Sequence, residues 1–267
     1  MPFEAKRALI VVRTYPTPAK QGIEVSCTAA ITDKGEWLRL FPVPYRFLTA
    51  DRQFRKYQWI DVQVSKAARD PRVESYKIEN NSIQIVTEPL PSDHAWRERK
   101  AVVMPLVKPG LCWLQNERNK NQQPTLGIFK PKHIKRLIVA AEPSPDWSEG
   151  ELQILRQGTL YGSVAPKAEL EKVPFKFSYE FECDEVGCRG HTLMCSDWEM
   201  GEAWRKWKNE YGEDWRAKFV QKFEAHMKNN CDTHFYVGTV NKNPKSWIIV
   251  GLFYPPKLAA SPLFDGL

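Results

Sequence analysis

Hydrophobic and polar positions alternate along much of this chain. Residues 7–14, Arg-Ala-Leu-Ile-Val-Val-Arg-Thr, form a β-branched run that Tyr15-Pro16-Thr17-Pro18 brings to an end, which predicts a first strand. A second is predicted over 24–32, with Asp33-Lys34-Gly35 as the turn of a short hairpin and 36–43 as the return strand. In that return strand Trp37 and Arg39 share one face and Leu38 and Leu40 the other, by the two-residue period of extended chain. Within 57–65, Trp59, Asp61 and Gln63 oppose Ile60, Val62 and Val64, and 81–87 reads as one more strand. Short strands at close spacing, punctuated by Gly and Pro, predict a barrel or sandwich and not a parallel sheet.

From 102 to 141 the chain carries Leu111-Cys112-Trp113, a polar stretch over 115–123, the segment 125–132 and a strand over 134–139. The polar stretch has no apolar period and reads as an exposed loop. Residues 172–181 then alternate strictly, with Val173, Phe175, Phe177, Tyr179 and Phe181 on one face. A helix beginning at Asp197 would place Met200, Trp204 and Trp207 on neighbouring turns, and Trp215, Phe219, Phe223 and Met227 recur every four residues in a second, core-facing helix. Strands are predicted over 234–239 and 247–253, and the tail after Leu258 reads as peripheral. The fold class is therefore a β-rich α+β protein. Its residues 1–150 would form one or two small Greek-key, OB-like barrels (1–90 and 91–150), and residues 151–267 an α+β module.

One hairpin adds a resemblance. Ser26-Cys27-Thr28-Ala29-Ala30-Ile31, a turn, and Glu36-Trp37-Leu38-Arg39-Leu40-Phe41-Pro42 resemble the opening hairpin of uncharacterised bacterial proteins described as carrying two OB-fold domains. There a cysteine-containing strand leads through a turn into a Trp-x-Arg segment ending near proline; Leu40 and Phe41 depart from the usual pattern after the arginine. The resemblance covers this hairpin alone. It implies a pair of small barrels and, by analogy of fold, nucleic-acid or nucleotide binding.

Charge divides the chain unevenly. The net charge is +7, yet residues 1–150 hold 24 Lys and Arg against 16 Asp and Glu, while residues 151–267 hold 15 against 16. A basic β-rich part is the footprint expected of a polyanion binder, because Lys and Arg neutralise phosphates and release their counterions. Hydrophobic residues at 42% and charged residues at 27% exclude a largely disordered chain. No apolar run approaches the length of a membrane span, 8–12 is too short for a secretory core, and six cysteines are too few for a disulfide scaffold, so a reduced, cytoplasmic protein is expected. The absence of a P-loop, a dinucleotide glycine fingerprint and a G-x-S-x-G elbow disfavours nucleotide motors, Rossmann enzymes and α/β-hydrolases.

Cations and aromatics interleave between positions 39 and 59, and from them Arg39, Arg46, Arg55, Lys56 and Trp59 are the candidate contacts to single-stranded DNA or RNA. Further along, Cys183, Cys188, His191 and Cys195 are spaced as C-x4-C-x2-H-x3-C, a soft donor set suited to a structural Zn2+. If His191 and Cys195 end one extended strand they stand about 13 Å apart, too far to share an ion. Cys231 or His234 would then complete the set. Asp197 and Glu199, with His191 or His234 as general base, could instead hold Mg2+ in a metal-dependent nuclease. The same tetrapeptide, Ser196-Asp197-Trp198-Glu199, also reads as a capping box with Ser196 at the N-cap. A third reading is a protein-interaction adaptor docking a partner on its C-terminal aromatic helices.

Overall fold

The computed structural model describes residues 2–19, 23–161, 166, 168–241 and 243–258. In the N-terminal sheet β1 (Glu4–Arg13), β2 (Thr17–Ala19), β3 (Ile23–Thr32), β4 (Trp37–Val43), β5 (Trp59–Lys66), β6 (Ser75–Ile78) and β7 (Gln84–Ile85) follow in chain order. Pairing runs β1-β3-β4-β6-β5 and returns to β1, closing a five-stranded ring, with β4 and β6 parallel and the other pairs antiparallel. That is the succession of an OB-like Greek-key barrel. Its interior is the apolar half of the alternating pattern: Ala8, Ile10, Leu38, Leu40, Ile60, Val62 and Val64 are buried together around Phe54. The strand expected over 81–87 contracts to Gln84 and Ile85, which pair with Asp61 and Ile60 on β5, because residues 80–82 form a 3-10 turn.

A linking segment follows: α1 (Asp93–Val103), β8 (Val107–Lys108) and α2 (Leu111–Asn121). The second sheet comprises β8 with β9 (Leu126–Phe129), β10 (His133–Ala141), β11 (Phe175–Glu182), β12 (His191–Cys195), β13 (His234–Val240) and β14 (Asn243–Phe253). The order is β10-β11-β12-β14-β13-β9-β8. Taking β9 and β10 as one strand bent at Lys130-Pro131-Lys132, this repeats the first ring, down to the one parallel pair of its third and fifth strands, β12 and β14. Helix α3 (Glu149–Tyr161) lies between β10 and β11; α4 (Trp198–Tyr211), α5 (Trp215–Val220), a π-helical turn over 221–226 and α6 (Met227–Asn230) lie between β12 and β13. Met200, Trp204, Phe219, Phe223 and Met227 are buried against Phe177, Tyr179 and Phe181, so the four-residue stripe is core as its period predicts.

Two local expectations change. The polar stretch 115–123 is mostly helix α2, whose buried Leu111 and Leu114 sit at its start and anchor it despite the polar remainder. A sheet boundary near 150 is not where the pairing breaks: β10 pairs along its length with β11, from His133↔Glu182 to Ala141↔Phe175, so strands on both sides of 150 build one sheet. Residues 91–150 do not close a ring of their own. The tail beyond Leu258 lies outside the described residues.

Candidate metal centre and barrel interface

Sequence spacing brings Cys183, Cys188 and His191 together at the β11–β12 turn, and the fold supplies a fourth donor from a distance. Cys112, on the first turn of α2, brings its Sγ to within 3.1 Å of His191 Nε2; Cys188 Sγ lies 3.4 Å from the same nitrogen. The ligand atoms of Cys112, Cys183, Cys188 and His191 all lie within 4.8 Å of one another, a set that can hold a metal ion. Backbone geometry steers the sulfurs: the amide of Leu111 donates to Cys183 Sγ at 3.1 Å, and that of Cys183 to Cys188 Sγ at 3.3 Å. Trp113 N donates to the Glu185 carboxylate at 2.6 Å, so the N-terminus of α2 docks on the turn through two of its free amides. Gly110 makes the approach possible, since a Cβ there would stand 3.0 Å from Cys183 Cβ and 3.2 Å from its sulfur.

The electrostatics fit a cation. Burial, then the neighbouring thiols, push the Cys112 thiol up to about 12, and burial raises Cys183. At Cys188 burial acts upward too, but the amide hydrogen bonds from Cys183 and Gly190 outweigh it and lower the thiol. Burial also lowers His191, which favours the neutral imidazole that metals bind. Three converging sulfurs cannot all ionise unless a positive charge sits between them.

Cys195 does not belong to this group. It ends the same strand that His191 begins, is 5% exposed, and packs in the barrel core. Strand extension carries it away, as the rise per residue requires. Cys231 is likewise buried elsewhere, beside Pro256, and His234 is 1% exposed with its Nδ1 3.0 Å from the carbonyl of Asp232. Cys112 could not be found by spacing, because 79 positions separate it from His191.

Two of the interleaved cations, Arg39 and Lys56, lie between the barrels. Leu9, Val11, Val12, Ala29 and Ile31 on the outside of the first ring pack against Leu126, Ile128, Tyr236, Val250 and Phe253 on the outside of the second. Arg39 is 3% exposed; its Nη2 donates to the carbonyl of Thr125 at 2.9 Å and lies 3.4 Å from Glu74 Oε1. Gly238 lets it in, for a Cβ there would stand 3.1 Å from Arg39 Nη2. Gly251 does the same for Val12, at 2.9 Å from its Cγ2. Arg72 donates to the carbonyl of Thr239 at 2.7 Å while Asp70 holds it from the other side.

Lys56 donates to the carbonyl of Leu252 at 3.0 Å, with Glu199 Oε1 at 3.3 Å and Asp197 Oδ2 at 3.6 Å. Burial acts to lower Lys56, but Glu199 and Asp197 outweigh it and the ammonium is raised. Asp197, not Ser196, is the N-cap of α4: Oδ1 accepts from Glu199 N at 2.7 Å and Oδ2 from Leu252 N at 3.0 Å. Both oxygens are thereby committed to the fold. Burial first, with Glu199 adding and Lys56 opposing, pushes its carboxyl up to about 6. Glu199 accepts from the Tyr254 hydroxyl at 3.3 Å.

Of the five expected nucleic-acid contacts, then, Arg39 and Lys56 are interface cations. Arg46 pairs with the buried Glu24 at 2.9 Å, and Trp59 packs into the apolar interface. Arg55 alone stands out on the surface, paired with Glu88. The four catalytic candidates are spread as well: His191 belongs to the cysteine cluster, His234 is buried behind Asp232, and Asp197 and Glu199 face Lys56.

No helix among the described residues is long and apolar enough to cross a membrane. Among solved structures the chain is similar to a murine DNA-binding protein bound with double-stranded DNA, at 11% identity and TM-score 0.34, over 98% of this chain and 100% of that one. It is also similar to the tetrameric p202 HIN2, at 8% identity and TM-score 0.30, over 97% and 96% of the two chains. No curated protein matches. Residues 4–105, which include the whole first ring, match a domain of unknown function, DUF8758. Residues 108–267, which carry Cys112 and the rest of the second sheet, match another, and the chain belongs to that family, described as a domain of unknown function, DUF8757.

Proposed function

We propose that the protein binds nucleic acid, as single-stranded DNA or RNA, through two OB-like barrels packed against one another. The observation that carries this reading is the ring of five strands with one parallel pair, formed twice in a chain whose first 150 residues hold 24 Lys and Arg against 16 Asp and Glu. Small Greek-key barrels of this connectivity present curved strands and loops to oligonucleotides, and a basic excess supplies the phosphate contacts. The buried apolar contacts between the rings support a binding surface that is organised before the ligand arrives.

In the same reading the Cys112–Cys183–Cys188–His191 cluster holds a structural zinc ion. Three sulfurs and one imidazole form a closed, tetrahedral donor set, and at ordinary zinc–ligand lengths neighbouring donors stand about 3.3–3.8 Å apart. The separations of 3.1 and 3.4 Å seen around His191 need little adjustment to reach that. With four protein ligands no position is left for water, so the ion would stiffen the β11–β12 turn and tie it to α2, not catalyse. The commitment of both Asp197 oxygens to backbone amides weighs against a nuclease centre at that residue.

Gel-shift assays with labelled single-stranded DNA, RNA and duplex DNA at low salt test the first part, with retention of a single-stranded probe expected. Failure to shift any of the three would overturn it. Elemental analysis of the purified protein tests the second, with about one zinc per chain expected for a single closed site. A protein fully stable without metal would contradict it.

A further inference from the structure

We infer that the nucleic-acid contact surface is the cationic strip where α1 meets the end of the α5–α6 helical run and the segment after β14, an inference that rests on the nucleic-acid reading above. The first ring cannot use the outer face of β1 and β3, since Leu9, Val11, Ala29 and Ile31 on that face are buried under the second ring. On the open side of the second ring, three basic side chains are matched one to one by acids: Lys132 with Asp184, Lys135 with Glu182, Arg136 with Glu180. Such a ladder has little net charge to offer a phosphate chain.

The strip is different. Arg99 on α1 lies over the rings of Tyr57 and Trp96, at 4.4 and 4.7 Å. Trp96 in turn meets Tyr254, centroid to centroid 5.5 Å, and Lys222 lies over the Tyr254 ring at 5.2 Å. Beyond Tyr254 the chain returns along the helix end: the carbonyl of Pro255 accepts from Asp232 N at 2.8 Å, and Lys257 donates to the carbonyls of Lys228 and Asn229 at 3.2 and 3.0 Å. Lys130 reaches the same place, 2.6 Å from Asp232 Oδ1, and Lys100 is near enough for its charge to act on Asp232 and His234. Arg99, Lys100, Lys130, Lys222 and Lys257 thus converge, with Asp93, Glu199 and Asp232 as the acids alongside. The cations outnumber them, and the half-buried Trp96 and Tyr254 lie among them, the combination that tracks a backbone and stacks bases.

Backbone strain marks the same spot. His94, Ala95 and Trp96 hold φ of 44, 51 and 62°, three successive non-glycine residues in the left-handed region. That conformation is costly for residues with a Cβ and persists only where surrounding contacts enforce it. Here it turns the Trp96 ring onto Phe253 and Tyr254 beside the cations.

The test compares wild-type protein with Lys100→Ala/Lys222→Ala/Lys257→Ala and with the control Lys135→Ala/Arg136→Ala, using one labelled single-stranded oligonucleotide across a salt series. Losing three phosphate contacts should lower the magnitude of the log K against log salt slope by about 2 and weaken binding at least about tenfold at low salt, with the control unchanged. Wild-type binding that the triple variant matches, or that the control loses equally, overturns this assignment and leaves the nucleic-acid reading standing. Absence of wild-type binding to DNA and RNA alike overturns both. Lysine acetylation of the wild-type protein, with and without oligonucleotide, answers without any substitution: Lys100, Lys222 and Lys257 should be protected, and their full reactivity in the complex would contradict the assignment.

Discussion

The ammonium of Lys56, in the first barrel, lies 3.3 Å from a carboxylate oxygen of Glu199, on the first turn of the helix that fills the second. The contact is one of several that convert chain-distant charges into a single joint, and it sits where water is scarce: the Lys56 side chain is 13% exposed and that of Asp197 only 1%. Removing the lysine leaves Asp197, 1% exposed, without its buried counter-charge, although Glu199 keeps access to water. Lys56→Met, which keeps the length of the side chain, should therefore cost about 3–5 kcal/mol, seen as a lower Tm and a lower denaturant midpoint. A change within error would show that the joint is held by apolar packing alone.

Asp197 makes the joint sensitive to pH. Burial raises its carboxyl from 3.8 to about 6 in the folded protein. A folded value above the unfolded one means that this group's contribution is fully present below about 3.8 and fades as pH rises through about 6. Asp197→Asn retains an N-cap side chain but does not titrate. The difference in Tm between wild type and this variant should change across pH 4 to 6 (roughly the interval between the two values) and flatten above it. A difference that is constant across the interval would contradict the assignment.

The glycines of β13 and β14 set how closely the barrels meet. A methyl group at Gly238 would fall 3.1 Å from the Arg39 guanidinium, itself fixed by Thr125 and Glu74. Gly238→Ala should destabilise by about 1–3 kcal/mol through overpacking, whereas Gly35→Ala, at a turn with open space but φ of 76°, should act only through backbone strain. Thermal unfolding of the two variants, with Gly238→Ala made also in an Arg39→Met background, separates the causes: Arg39→Met itself destabilises by leaving Glu74 unpaired, but the added alanine should cost less there than in the wild type.

Cysteine substitutions distinguish the proposed metal centre from the spacing that first pointed to it. Cys112→Ser should lose the metal and unfold earlier, and Cys195→Ser should keep it, since Cys195 packs inside the barrel. Gly110→Ala should weaken metal retention too, by pressing on Cys183. Metal content after gel filtration reads all three. Retention by Cys112→Ser together with loss by Cys195→Ser would reverse the assignment.

Local pattern carried the strands well. The β-branched run before Tyr15 and the Asp33-Lys34-Gly35 turn place β1, β3 and β4, and the alternation around Tyr179 places β11. Close spacing also brought together Cys183, Cys188 and His191, three of the four residues of the cluster that can hold a metal. What it could not carry is contact at long range. Nothing local tells that β10 waits for β11 across α3, or that Cys112 will meet His191. Arg39 and Lys56 looked like surface cations because their partners, Thr125, Asp197 and Glu199, arrive from the other barrel. Helix α2 was hidden for a related reason: its anchor is two leucines and the docking of its first turn on Cys183 and Glu185, while the rest of its surface is polar.

Fluorescence anisotropy of a labelled single-stranded oligonucleotide, titrated with the metal-loaded protein over a range of salt concentrations, tests the central claim most directly. Log K should fall linearly with log salt, with a slope of about −3.5 if the five cations of the strip each meet one phosphate. No binding at low salt, or binding indifferent to salt, would contradict it.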